Sequence, residues 1–137
     1  MKSTFILTLL LLFQTTARAV TNEYRKAKGI IHNANDKTIR ITVPDQRLSL
    51  FIDYSHGCRI TQLTIKNKNT LSPSGIYTGI RTDEALFHSY SQTQPIHITT
   101  TPNGIKLKGI TYGDNSNSVN ESWYFELAGD KIQWVID

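Results

Sequence analysis

Four histidines, one cysteine and eleven carboxylates are the side chains with which this chain could move protons, hold a metal or attack an electrophile. His32, His56, His88 and His97 are too dispersed for metal ligation, since zinc sites bring their ligands in close pairs such as H-x3-H. The Asp and Asn oxygens of the Asp114 loop suit a hard cation, but the residue order of an EF-hand is missing and an ordinary turn accounts for them. No metal centre is expected. Cys58 would need a base and an electropositive setting to act as a nucleophile. His56 is near in sequence but lies across a turn, so Cys58 reads as a small buried hydrophobe. Acid–base cleavage of a glycosidic bond needs two carboxyl groups about 5 to 9 Å apart. Asp83 and Glu84 are adjacent, and on a strand they would point to opposite faces. A solvated turn is their simpler place, and Asp53 and Glu121 read as isolated surface carboxylates. With no nucleophile elbow, phosphate loop or dinucleotide turn, no cofactor is expected either.

Recognition without reaction has better candidates. Tyr and Trp can lay an apolar ring face on the C–H face of a pyranose, while Arg, amides and carboxylates bond its hydroxyls. The candidates for carbohydrate contact are Tyr77, Arg81, Tyr90, Tyr112 and Tyr124. Tyr77 and Arg81 flank the Ser72–Gly75 loop and are the preferred surface pair. Trp123 and Trp134 share strand faces with aliphatic residues and are expected in the core. Asn120-Glu121-Ser122 fits a glycosylation sequon, a short match that is frequent by chance.

The elements that must position these residues are strands. Apolar residues recur with a period of two in short runs between turn residues. Ile39, Ile41 and Val43 share one face of a strand over 37–43, and Leu48, Leu50 and Ile52 do so over 47–53. From 58 to 66 the parity changes between Ile60 and Leu63, which predicts a bulge or a twist that redirects the side chains. A short strand is expected near 77–81. The clearest hairpin runs 95–101 and 104–111 about Pro102-Asn103-Gly104. A polar loop follows at 112–117, and the last strands, 121–127 and 131–136, turn at Ala128-Gly129-Asp130. Short strands at regular spacing, with no amphipathic helix, predict an all-β antiparallel sandwich.

Lys2, the apolar run Phe5–Phe13 and the Ala17-x-Ala19 site read as a cleaved signal peptide over residues 1–19, followed by one β-sandwich domain over 20–137. The apolar run is too short to span a bilayer, and the one cysteine lies far from the cleavage site, so no membrane anchor is expected. Export to the periplasm or cell exterior is. Removing Lys2 and Arg18 lowers the basic count from 15 to 13 against 11 acids, a net charge of about +2. That balance makes no case for nucleic acid. A lone cysteine in an oxidising compartment means that burial, not disulfides, must hold the fold. The apolar strand running up to Asp137 suggests the front of a longer polypeptide, or an edge covered elsewhere in the fold.

The segment RLSLFIDYSHGCRITQLTIKNKNTLSPSGIYTGI, residues 47–80, resembles the opening of the β-supersandwich domains of the galactose mutarotase-like superfamily, found at the front of many secreted bacterial glycoside hydrolases. ESWYFELAGDKIQWVID, residues 121–137, is similar to the paired Trp-bearing strands of such domains. The likeness covers about half of the mature chain. It implies a non-catalytic domain that contributes to oligosaccharide or polysaccharide binding, or to packing of a C-terminal catalytic domain in a longer chain. The histidine and glutamate that serve mutarotases as acid and base lie in later segments without a counterpart here, so no catalytic residue carries over. Two other readings stay open: a free-standing carbohydrate-binding or adhesive module, and a structural sandwich with no sugar affinity.

Overall fold

The computed structural model describes residues 29–91 and 93–137; the signal-peptide reading of residues 1–19 lies outside them. Among the described residues eleven strands follow in order: β1 (Ile30–Asn33), β2 (Thr38–Thr42), β3 (Leu48–Asp53), β4 (Arg59–Ile65), β5 (Lys68–Asn69), β6 (Gly79–Arg81), β7 (Leu86–His88), β8 (His97–Thr100), β9 (Gly104–Gly113), β10 (Ser118–Ala128) and β11 (Lys131–Ile136). They form a five-stranded sheet in the order β1-β2-β3-β4-β5, a four-stranded sheet in the order β11-β10-β9-β8, and a separate hairpin of β6 and β7. All pairings between strands are antiparallel. Each strand pairs with its sequence neighbour, so both sheets are meanders built from local turns. The all-β antiparallel expectation is met.

The alternation that defines each strand also builds the core. Ile39, Ile41, Leu50, Ile52 and Ile60 of the first sheet meet Ile105, Leu107, Ile110, Tyr112, Trp123 and Phe125 of the second in one buried cluster. Fully burying one such aliphatic or aromatic side chain stabilises the fold by roughly 1.5–3 kcal/mol. Both expected tryptophans join this region: Trp123 is 0% exposed, and half-buried Trp134 stacks on Phe125 at a 9° interplanar angle.

Two bulges keep the apolar residues inward where sequence parity breaks. In β4, Ile60 pairs with Ile52 while Gln62 pairs with Phe51, so Thr61 is the extra residue. This is the bulge that the change from Ile60 to Leu63 predicts. In β9, Ile110 pairs with Glu121 and Lys108 with Ser122, leaving Gly109 as the extra residue at φ 84°. Its positive φ suits glycine. The flip carries Ile110 and Tyr112 into the same core as Ile105 and Leu107. Strand β9 therefore runs on to Gly113, and only Asp114–Asn117 remain of the polar loop expected over 112–117.

The β6–β7 hairpin is tied to both sheets. An isolated bridge joins Ile76 to Ile60, with two backbone bonds of 2.9 Å. Ser89, 1% exposed, accepts the Cys58 N–H at its carbonyl (2.7 Å) and donates its hydroxyl to the Cys58 carbonyl (2.6 Å). On the other side, the Thr78 hydroxyl donates to Glu121 of β10 (2.7 Å). This small hairpin thus places a piece of chain against the β3–β4 turn.

Candidate functional site

Where the hairpin meets the β3–β4 turn, side chains from residues 53–59 and 77–90 converge. Tyr77 precedes β6, while His88 ends β7 and Tyr90 lies two residues on. The His88 imidazole stacks on the Tyr90 ring (centroids 4.4 Å apart, 13°), and Tyr77 meets both edge-on at 5.1 and 4.9 Å. From β4, the Arg59 guanidinium lies over Tyr90, 5.3 Å from its centroid. Asp53, His56, Arg59 and Tyr90 line a shallow pocket of about 140 Å³. Tyr77 is 36% exposed, so the cluster presents an aromatic surface beside this polar hollow.

The polar side is locally ordered. The Asp53 carboxylate accepts the Ser55 N–H (2.9 Å) and the Ser55 hydroxyl (2.6 Å), a self-contained turn motif. Arg59 adds a looser contact at 3.7 Å. Burial pushes the Asp53 carboxyl up, but the two Ser55 bonds, with Arg59 and His56, outweigh it and hold the group below the usual carboxylate range. Asp53 is therefore an ionised acceptor at neutral pH.

Ser55 Oγ also lies 3.0 Å from His56 Nδ1. A hydroxyl has one proton, and here it goes to Asp53, so the geometry assigns Nδ1–H of His56 as the donor to Ser55. The order carboxylate–hydroxyl–imidazole is the wrong one for a nucleophilic serine, in which the imidazole must take the hydroxyl proton. The cluster offers an anionic acceptor, a guanidinium donor and aromatic faces.

The sequence candidates divide. Tyr77 and Tyr90 are brought together in this cluster. Arg81 pairs with Leu86 next to the Thr82–Ala85 turn, where Asp83 and Glu84 are exposed. Tyr124 lies on the outer face of the second sheet, its ring across Gly104, where an added Cβ would stand 2.8 Å from the tyrosine oxygen. Tyr112 is 2% exposed and its hydroxyl donates to Glu121 (2.6 Å), so its ring presents no face to a ligand. Glu121, read from sequence as an isolated surface carboxylate, also accepts Trp123 Nε1–H (2.9 Å) and is part of an internal polar knot. Sequence reasoning missed Asp53, Arg59, His56 and His88 as site residues. His88 ends β7 and Tyr90 follows in the turn closed by the Ser91 N–H on the His88 carbonyl (2.7 Å), so strand alternation gave no signal for their stacking.

Cys58 is 0% exposed, and burial, with the Asp53 and Glu121 charges adding to it, pushes its thiol well above the usual range. A thiol reagent at pH 8 is expected to leave Cys58 unmodified in the native protein and to label it fully in denaturant. Rapid native labelling would contradict this placement. Among the described residues no group of three His, Cys, Asp or Glu side chains could hold a metal, and no helix is long and apolar enough to cross a membrane.

Family models, curated proteins and solved structures were all compared with the chain, and none matches it.

Proposed function

We propose that this chain is a non-catalytic, carbohydrate-binding β-sandwich domain of an exported glycoside hydrolase-like protein, with its glycan site at Tyr77, His88, Tyr90, Arg59 and Asp53. The reading rests on one observation. An exposed tyrosine, a stacked His–Tyr pair and an Arg over the same ring border a hollow whose acceptor is an ordered carboxylate. A pyranose ring has an apolar C–H face and a rim of hydroxyls that both donate and accept. Tyr77 supplies the platform for the first, and Asp53 and Arg59 bond the second. The openness of the site suits a surface grip on a chain polymer better than enclosure of a small molecule. The likeness of residues 47–80 to the sandwich domains of polysaccharide-degrading enzymes points the same way.

Affinity electrophoresis of the processed protein through gels containing neutral and acidic polysaccharides tests the proposal. Retardation by at least one polysaccharide is expected. Tyr77→Ala should weaken it about tenfold, the order of one stacking contact with its desolvated area, while Tyr77→Phe stays near wild type. Free migration in every gel, or a Tyr77→Ala variant retarded like wild type, would remove the proposal.

A further inference from the structure

The sheet edges of this sandwich are not alike. β1 has four residues, β5 two, and β8 four between Pro95 and Pro102, so each is short, and β8 is also bracketed by residues that stop pairing. β11 has six, Lys131–Ile136, with no proline and no inward charge, and it borders the four-stranded sheet. Among the described residues no strand pairs with its outer side. Val135 is 49% and Ile136 42% exposed there, and among the described residues the buried indole N–H of Trp134 has no acceptor. An exposed apolar edge of this kind is a template for another strand.

The backbone fixes which register such a strand would take. Ser122 and Asp137 exchange both N–H···O bonds, at 2.9 and 3.0 Å. Bonded pairs alternate along an antiparallel ladder, so residues 131, 133, 135 and 137 spend their N–H and C=O on β10, while Ile132, Trp134 and Ile136 point theirs outward. An antiparallel copy of the same strand satisfies all three outward pairs in one register only, with Trp134 opposite Trp134 and Ile132 opposite Ile136.

The side chains select that same register. The segment reads Lys-Ile-Gln-Trp-Val-Ile-Asp from 131 to 137, and reversing it about Trp134 sets Lys131 against Asp137 at both ends. These are non-bonded pairs, where cross-strand side chains stand closest. On the opposite face Ile132, Trp134 and Ile136 meet Ile136, Trp134 and Ile132, extending the apolar row across the dyad. Among the described residues the Asp137 carboxylate meets Lys106 at 3.4 Å, and its side chain is 72% exposed. We infer that two copies of this chain associate by antiparallel pairing of their β11 strands about Trp134, joining two four-stranded sheets into one.

Such a dimer has isologous two-fold symmetry and carries two copies of the Tyr77–Tyr90 cluster. Two glycan sites on one rigid body would give avidity for a polymer; the pairing itself does not depend on that reading.

Sedimentation velocity of the processed protein from roughly 1 to 300 µM, with charge-reversal variants, is the test. Wild type is expected to show a reversible monomer–dimer equilibrium. Lys131→Asp and Asp137→Lys each turn two attractive cross-strand pairs repulsive and should weaken dimerisation about tenfold. Mixed in equal amounts, the two variants should associate about as well as wild type, because each then meets its opposite charge. Both positions are exposed, and circular dichroism confirms that the variants are folded. A wild type monomeric throughout, or a dimer indifferent to both reversals and to mixing, would overturn the inference. So would dimerisation only after residues 20–28 are deleted, since that segment would then be the natural occupant of the edge.

Discussion

Glu121→Ala is expected to destabilise the protein by about 3–5 kcal/mol. The Glu121 carboxylate accepts hydrogen bonds from Thr78 Oγ1 (2.7 Å), Tyr112 OH (2.6 Å) and Trp123 Nε1 (2.9 Å), which come from the hairpin lead-in, β9 and β10. Alanine leaves the hydroxyl of Tyr112 and the indole of Trp123, 2% and 0% exposed as whole residues, without an acceptor. An unmet buried donor costs about 1–3 kcal/mol, and the tie from Thr78 is lost as well. For a domain of this size that lowers the melting temperature by on the order of 15 °C. Glu121→Gln keeps the shape and one acceptor oxygen, but turns an N–H2 toward donors, so it should fall between alanine and wild type. A Glu121→Ala variant within 1 kcal/mol of wild type would show that water satisfies these groups.

The same knot sets an alkaline limit. Burial first, then the hydrogen bond to Glu121 and its charge, push the Tyr112 phenol up to about 12 from its ordinary 10.0. A folded-state value raised above the unfolded one favours the neutral form. The associated stability is complete below pH 10 and is lost as pH rises from 10 through 12. Tyr112→Phe should remove that part of the alkaline unfolding limb while leaving the behaviour near neutrality to the lost hydrogen bond alone. Denaturant melts between pH 8 and 12 read both.

Gly75→Ala should be nearly as damaging, by about 2–4 kcal/mol, and should act on the site as well as on stability. Gly75 has φ 74°, where an L-residue costs roughly 1–2 kcal/mol. A Cβ there would lie 2.2 Å from the Ile60 carbonyl oxygen, which is backbone and cannot swing away. That oxygen accepts the Ile76 N–H in the bridge that fastens the hairpin lead-in to β4. Moving it shifts Tyr77, the next residue but one. Thermal melts should show the loss of stability, and near-ultraviolet dichroism should show a loosened tyrosine cluster. An unchanged melt and spectrum would mean that the bridge does not position the site.

How much of this was legible follows from which contacts are local. β2, β3, β10 and β11 keep a period of two on their inward faces, and because every strand pairs with its neighbour in sequence, that pattern was enough to predict an antiparallel sandwich but not the order of its strands. The β4 bulge could be read from the parity change at Ile60 and Leu63. The β9 bulge carries the same signal between Leu107 and Ile110, with Gly109 supplying the positive φ, but Tyr112 next to a polar run looked like loop. Its burial follows from that flip, which explains why a core tyrosine resembled a surface one. β1 and β7 are short, and no long alternation marks them. β7 is held by bonds from its far end, Ser89 to Cys58, which depend on the tertiary fold. The site shows the same division. Tyr77 and Tyr90 could be picked by residue type, whereas Asp53, His56 and Arg59 join them only because the hairpin folds back onto the β3–β4 turn.

The central claim is that glycan binds on the Tyr77–Tyr90 face, and chemical-shift mapping of isotope-labelled protein comprising residues 20–137, titrated with oligosaccharides, tests it most directly. Progressive shifts confined to Asp53, His56, Arg59, Tyr77, His88, Tyr90 and their neighbours are the predicted result. A spectrum unmoved by any neutral or acidic oligosaccharide, or shifts centred on the Tyr124 face of the second sheet, would contradict it.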